Sequence, residues 1–316
     1  MLARVANNLF WMGRYIERSE HVARFMQVNY FSSLDAPNER SQNRQFVLRS
    51  MRFMIGDPVE NEGMILNEEE VLYNLGMNPE IPYAIINNVK WARENANSAR
   101  DLISTELYEA VNKFYHFVLN YQVETYVKRG LYDFCMNITE MTTILRGKIR
   151  GTLLHDEVYA IIMMGMNLER ATQIIRIINT KYNDALLARG EPGDEDLDYS
   201  FEWVTLLKCA ESYDMMRRFY KKPPNSISTL EFLILNPDCP RSVMNSLNQI
   251  TRHIKVVGRS KSPTKDSTAF LVEKVRADLK FKYVEEIQEN IRDFIEKKLN
   301  DLVHIAQKME KEFFNY

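Results

Sequence analysis

The stretch LFWMGRYIERSEHVAR, Leu9 to Arg24, sets apolar side chains at helical spacing directly beside two glutamates and three arginines. On a helical wheel Met12, Ile16, Ser19, Ala23 and Met26 share one stripe, and Gly13, Glu17, Glu20 and Arg24 share the next. The carboxylates therefore stand at the margin of a core, not on the opposite, solvent-facing side. Sliding the chain on itself finds an echo: MGMNLERATQIIR, Met164 to Arg176, against MGRYIERSEHVAR, Met12 to Arg24, at a constant offset of 152. Here Met164, Leu168, Ala171, Ile175 and Ile178 form the apolar stripe, with Gly165, Glu169, Thr172 and Arg176 beside it.

Both copies carry a glycine in the helix interior, where it costs roughly 1 kcal/mol relative to alanine. Close approach of another backbone is a reason to accept that cost. The reading is an internal duplication whose two helices, near 5–30 and 155–182, cross at Gly13 and Gly165 about a pseudo-two-fold axis. Such a crossing would bring Glu17 and Glu169 toward a common polar pocket; the alternative is that the glycines merely pack under bulky neighbours.

The same periodicity runs through 43–55, 82–102, 105–148, 200–220, 226–235, 241–255 and 268–312, the last a long C-terminal helix that packs on the body or serves as a docking or dimer helix. The 11 glycines and 10 prolines fall mainly between these segments, and nothing alternates like a strand ladder. The expectation is an all-α multi-helix bundle without a sheet, a single domain over 1–316. Ser228 and Glu231 fit a capping box for a helix beginning near 229. DAPNER falls between two of the helical segments, and GEPGDEDLD at Gly190–Asp198 and GRSKSPTKDS at Gly258–Ser267 read as surface loops.

A hydrophobic fraction of 45% with 27% charged residues allows a sizeable core. The net charge of −2 gives no long-range attraction to nucleic acid or to anionic membranes. Cys135, Cys209 and Cys239 lie far apart and form no C-x-x-C pair, which fits reduced thiols in a cytoplasm. The charged N-terminus is not expected to act as an export signal, and the apolar run Val158–Leu168 is too short for the roughly 20 residues that span a bilayer.

A third charged segment, Trp91 to Asn112, carries Arg93, Glu94, Arg100 and Glu106 among apolar residues. Glu17 to Arg24, Glu169 to Arg176 and Glu211 to Arg218 each span two helical turns, so the members of a pair share a face without touching, and each arginine needs a partner from another helix. Buried ions are tolerated only when paired and hydrogen-bonded. Such a network either fixes helix register or binds an anionic, amino-acid-like ligand through bidentate arginines. Convergence of Glu17, Glu94, Glu106 and Glu169 on an open, water-filled pocket would mark a site; their dispersal would exclude it.

None of the five histidines has a glutamate three residues before it, so the Glu-x-x-His signature of carboxylate di-metal bundles is missing and no metal ligand is assigned. Phosphate-binding loops, nucleophile elbows and H-E-x-x-H pairs do not occur, no cofactor is expected, and no catalytic residue can be named. His155 and Asp156 could serve acid–base chemistry, but their position before an apolar helix favours a cap. The many methionines read as core filling.

The N-terminal block MLARVANNLFWMGRYIERSEHVAR, then ARENANSARDLISTELYEAVN, ERATQIIRII and NPDCPRSV, together resemble the bacterial alpha-E family across essentially the whole chain. The resemblance implies an all-helical domain typically encoded beside, or fused to, an unusual ATP-grasp protein, with transglutaminase-like peptidases and proteasome-related hydrolases as frequent neighbours. The family's charged motif falls on Arg14, Glu17, Arg18 and Glu20, on Arg93, Glu94, Arg100 and Glu106, and on Glu169 and Arg170. This chain departs from it at Met166 and Asn167, where an arginine commonly follows the glycine. With Arg24 and Arg176, these residues are the candidates for binding a ligand or partner. The expected role is an accessory or binding component, catalytic or not, that works with an ATP-grasp-type ligase on a peptide or amide-linked metabolite. A non-catalytic scaffold is the alternative and a carboxylate metalloenzyme the third reading; homo-oligomerisation stays open.

Overall fold

Side-chain caps open several of the helices. Asp156 accepts the Val158 N–H at 2.9 Å at the head of the longest helix, which makes it the cap expected there. Ser104, Ser242 and Ser267 accept backbone N–H groups at three other starts. The computed structural model describes residues 2–32, 44–59, 63–188, 200–258 and 264–314, and among these every regular element is helical. The first half supplies α1 (Ala3–Ser32), α2 (Arg44–Ile55), α3 (Glu68–Gly76), α4 (Ile85–Ser98), α5 (Thr105–Asn120), the single turn α6 (Val123–Thr125) and α7 (Leu131–Thr152). The second supplies α8 (Glu157–Ala188), α9 (Ser200–Cys209), α10 (Tyr213–Tyr220), α11 (Ser226–Leu230), α12 (Val243–Val257), α13 (Thr268–Lys280), α14 (Val284–Glu289) and α15 (Ile291–Met309).

The packing order repeats between the halves. Helix α1 packs on α4 and α7 with α5 bridging those two, and α8 packs on α12 and α15 with α13 bridging them. Helix α2 reaches across to α8 as α9 reaches across to α1. The centre is the α1–α8 crossing, where Phe10, Met12 and Ile16 of α1 and Met164, Leu168 and Ala171 of α8 are fully buried.

That crossing is at the two glycines. A methyl group on Gly13 would stand 2.5 Å from the carbonyl oxygen of Ile162, and one on Gly165 would strike the carbonyl of Phe10. Each glycine thus meets the carbonyl three residues before the other. Because the obstacle is helix backbone, no rotamer change relieves it. Gly165→Ala is expected to cost about 2 kcal/mol, or roughly 3 °C in melting temperature. Gly147→Ala on α7, with open space around it, should be neutral or slightly stabilising in the same calorimetric scan.

Several boundaries differ from the sequence reading. The expected helix over 105–148 breaks after Asn120 because Tyr126 turns inward; its hydroxyl donates to the Leu72 carbonyl at 2.8 Å, and Gly76 leaves space for its ring. The long C-terminal helix over 268–312 is three helices, interrupted after Lys280 and again at Asn290, whose φ of −135° and ψ of 51° leave the helical region. The capping box lies three residues earlier than expected: Asn225 is the cap and Ser228 its partner, so α11 begins at Ser226 rather than near 229. The segment 200–220 divides at Glu211, which adopts a left-handed φ of 53°. Helix α3, capped by Asn67, has no counterpart in the sequence reading. DAPNER, GEPGDEDLD and residues 259–263 of GRSKSPTKDS lie outside the described residues. No helix among the described residues is long and apolar enough to cross a membrane. All three cysteines are buried and unpaired.

Candidate functional site: an exchanged Glu–Arg crossing

One turn beyond the glycines the two helices trade ion pairs. Arg170 of α8 donates through Nε and Nη2 to both oxygens of Glu17 at 2.6 and 3.0 Å. Arg18 of α1 does the same to Glu169, at 2.6 and 3.1 Å. Both are bidentate forks, the strongest geometry for a guanidinium and a carboxylate. The exchange is uneven at one point. Arg14, which follows Gly13, adds a bond to Glu169 at 2.9 Å, but Met166 stands where its counterpart would follow Gly165. Glu17 finds its second cation elsewhere, in Arg241, at 3.4 Å.

Arg241 is delivered by the turn NPDCPR. Asn236 Oδ1 accepts the N–H groups of Asp238 and Cys239 at 2.8 and 3.0 Å, and Ser242 Oγ donates back to the Asn236 carbonyl. The turn thus plugs a guanidinium into the core margin. There Arg241 also donates to Glu20 at 2.9 Å and to Glu211. Glu20 further accepts from Arg24 at 3.0 Å and from Arg146. Glu211 binds Arg24 at 3.1 Å, so the left-handed backbone that divides α9 from α10 places this carboxylate on two arginines.

Glu17 and Glu169 are both 0% exposed and Glu20 is 1% exposed. Burial alone would raise all three carboxyls. Arg170, the His21 hydrogen bond and Arg241 reverse this for Glu17 and hold it well below the usual carboxylate range. Arg18 and Arg14 do so for Glu169, and Arg241 and Arg146 hold Glu20 at about 2, against the repulsion of Glu17. Burial also lowers the guanidinium of Arg241 to about 10, despite the pull of Glu20, so it stays charged at neutral pH. His21 is held below its ordinary value by burial, against the pull of Glu17. Since Glu17 is an ionised acceptor, Nε2 of His21 carries the proton of their 3.3 Å contact, and its Nδ1 is left buried without a partner among the described residues.

The structure divides the sequence-derived candidates. Arg14, Glu17, Arg18, Glu20, Arg24, Glu169 and Arg170 share the network, and Arg176 stands at its edge, within the influence of Glu169, Arg18 and Arg14. Arg93, Glu94, Arg100 and Glu106 do not converge with them. Arg93 donates to Asn112 at 2.7 Å and lies over Tyr115, and Arg100 lies over Tyr108. Glu94 and Glu106 are exposed, Glu106 in the first turn of α5, where it complements the helix dipole. The expected pocket of four glutamates is therefore not formed, because two are sealed in a core margin and two face solvent, and a ligand site built on those four carboxylates is excluded; the arginines around the buried pair are a separate surface. Charged residues on an amphipathic helix look alike at either edge of the apolar stripe, and the neighbours that distinguish those edges are remote in sequence. Arg146, Arg241, Glu211 and His21 were missed as site residues; the signals were the NPDCPR turn and the break at Glu211.

Next to Glu169 the arginines are backed by aromatic rings. Arg14 lies 4.3 Å from the Trp11 ring centroid, and Trp11, Tyr15 and Trp91 follow in sequence at 5.3 and 5.2 Å. Burial raises the Tyr15 hydroxyl above its ordinary value, against the pull of Arg18 and Arg14. Among the described residues no group of three or more His, Cys, Asp or Glu is arranged to hold a metal ion.

Fold and site together define an all-helical protein whose two longest helices are keyed by exchanged glutamate–arginine pairs. Residues 1–314 match the model of the Alpha-E family, described as a predicted alpha-helical domain with a conserved ER motif, and the chain belongs to that family. Its Glu17–Arg18 and Glu169–Arg170 dipeptides are the ones exchanged. An uncharacterized protein of Mycobacterium bovis and one of Mycobacterium tuberculosis are each 21% identical to it over 317 residues, which cover 95% of this chain and 35% of theirs. The chain thus spans about a third of the length of these curated relatives. No solved structure matches it.

Proposed function

We propose that this chain is a binding component that acts with an ATP-grasp-type ligase, holding an anionic, peptide-like ligand on the arginine rim of the crossing while the buried glutamates keep that rim in place. The observation that supports this reading is a charge imbalance. Arg14, Arg18, Arg24, Arg146, Arg170, Arg176 and Arg241 surround Glu17, Glu20, Glu169 and Glu211, so guanidiniums outnumber carboxylates by three. Arg176 is the clearest surplus. Burial lowers it, Glu169 offsets part of that, and Arg18 and Arg14 lower it again. A carboxylate ligand would relieve that repulsion and accept from its fork.

The test is calorimetric titration with the dipeptide Ala-Glu. Arg176→Gln is expected to melt within about 1 °C of the parent and to bind about tenfold more weakly. Equal binding by the two chains would overturn the proposal. The competing reading is a scaffold whose network is wholly structural. Its support is the complete burial of Glu17 and Glu169, and it predicts that neither chain binds the dipeptide. The repeated packing order also supports descent of the two halves from one duplicated unit.

A further inference from the structure

A second concentration of positive charge lies away from the crossing pairs, at the head of α8. A cavity of about 440 Å³ opens there among the end of α7, the first turns of α8 and the last turns of α12. Its lining includes Arg150, His155, Tyr159, Gln249, Arg252 and His253, and no carboxylate. The two acidic residues nearest in sequence do not enter it. Asp156 is turned back to cap α8 through the Val158 N–H at 2.9 Å, and Glu157 is not part of the lining.

The inner wall is ordered by ring contacts. His155 stacks on Tyr159 at 4.1 Å with planes 17° apart, and its Nε2 meets the Arg150 carbonyl at 3.0 Å. Tyr159 in turn meets His253 edge-on at 5.6 Å. His253 is only 7% exposed, and the charges that act on it are both cationic. Burial lowers its imidazole to about 4, with Arg252 and His155 adding to the effect, so it is neutral in the empty pocket. Neither of its ring nitrogens is taken by a hydrogen bond among the described residues, so one can serve as an N–H donor toward the cavity. Arg150 and Arg252 are exposed at the mouth, free to close on a ligand. Two guanidiniums, an imidazole donor and an amide around an acid-free hollow match the oxygens of a phosphate group better than a carboxylate, since a phosphate offers acceptors in three directions.

We propose that this cavity is a binding site for a small phosphate-bearing anion, gripped by Arg150 and Arg252 at the mouth and by His253 within. It is independent of the dipeptide rim on the crossing and tests separately from it.

The experiment is isothermal titration of the full chain with inorganic pyrophosphate, with ATP and acetate as parallel arms. Pyrophosphate is expected to bind, and Arg150→Gln with Arg252→Gln to weaken it by about tenfold or more without moving the melting temperature, because both side chains are at the surface. His253→Gln, which keeps a donor, should bind more tightly than His253→Phe. Tighter binding of ATP than of pyrophosphate assigns the source as a nucleotide, and the reverse assigns a free phosphate compound. The proposal is overturned if pyrophosphate does not bind, if acetate competes at equal concentration, or if the double arginine variant binds like the parent.

Discussion

Glu169→Gln is expected to lower the stability of the chain by about 3–5 kcal/mol, the usual consequence of removing one member of a buried, hydrogen-bonded ion pair. The glutamine amide can accept from Arg18 but cannot neutralise it. Arg14, Arg18 and Arg176 would then share a partly buried site with no carboxylate, since all three act on or through Glu169 in the parent. Chemical denaturation at neutral pH measures the loss. Pairing Glu169→Gln with Arg18→Met should recover part of it, because the uncompensated charge is what costs most. A loss below about 1 kcal/mol would mean that the network is loosely held and solvated, and the structural role assigned to the glutamates would fall.

Acid should dismantle the same network in a defined window. Glu17, Glu20 and Glu169 are all held below their ordinary values in the folded chain, so each contributes stability that is complete above the unfolded carboxylate range. That contribution is lost as pH falls through the folded values. The window opens near pH 4.5 and extends to about 2 for Glu20 and lower for Glu169. From Glu20 alone, a shift from 4.5 to about 2 corresponds to about 3 kcal/mol. His21 and His253 act earlier. Their folded values are lowered, so the unfolded chain takes up protons first, and a shallower loss begins below about pH 6.5. Urea midpoints measured between pH 7 and 2.5 should trace both phases. Removing the shallow phase with His21→Gln and His253→Gln while keeping the steep one would confirm the assignment, and a flat profile down to pH 3 would refute it.

How far the sequence foretold this arrangement depends on what each residue needs around it. The glycines were legible because a glycine inside an amphipathic helix has few uses other than close approach, and the echo supplied the second helix. Glu17, Arg18, Glu169 and Arg170 followed from the same register. Arg93 and Glu94 do not join the crossing because of how α4 is rotated, and Arg100 and Glu106 because they lie beyond its end, Glu106 at the start of α5; no local pattern encodes either. Arg241 and Glu211 were hidden for a different reason: each depends on an irregular backbone, a side-chain-locked turn and a left-handed residue. Those conformations are decided by the tertiary contacts they create. The interrupted C-terminal helices show the same limit, since apolar periodicity continues across breaks that the backbone does not.

The exchange of partners between Glu17–Arg18 and Glu169–Arg170 also bears on the order in which the molecule assembles. Each fork joins residues more than 150 positions apart. At ordinary rates of synthesis, roughly 8 to 30 s pass between the emergence of the first dipeptide and of the second. Throughout that interval α1 can gather α4, α5 and α7 around its apolar stripe, but Glu17 and Arg18 still lack their opposite charges. The nascent half is thus held short of its final packing, with a polar seam open to water. Closing that seam requires α8 in one register, because a slip of a single turn would withdraw each carboxylate from its arginine. The crossing therefore works as a lock that accepts its key only once, when α8 arrives.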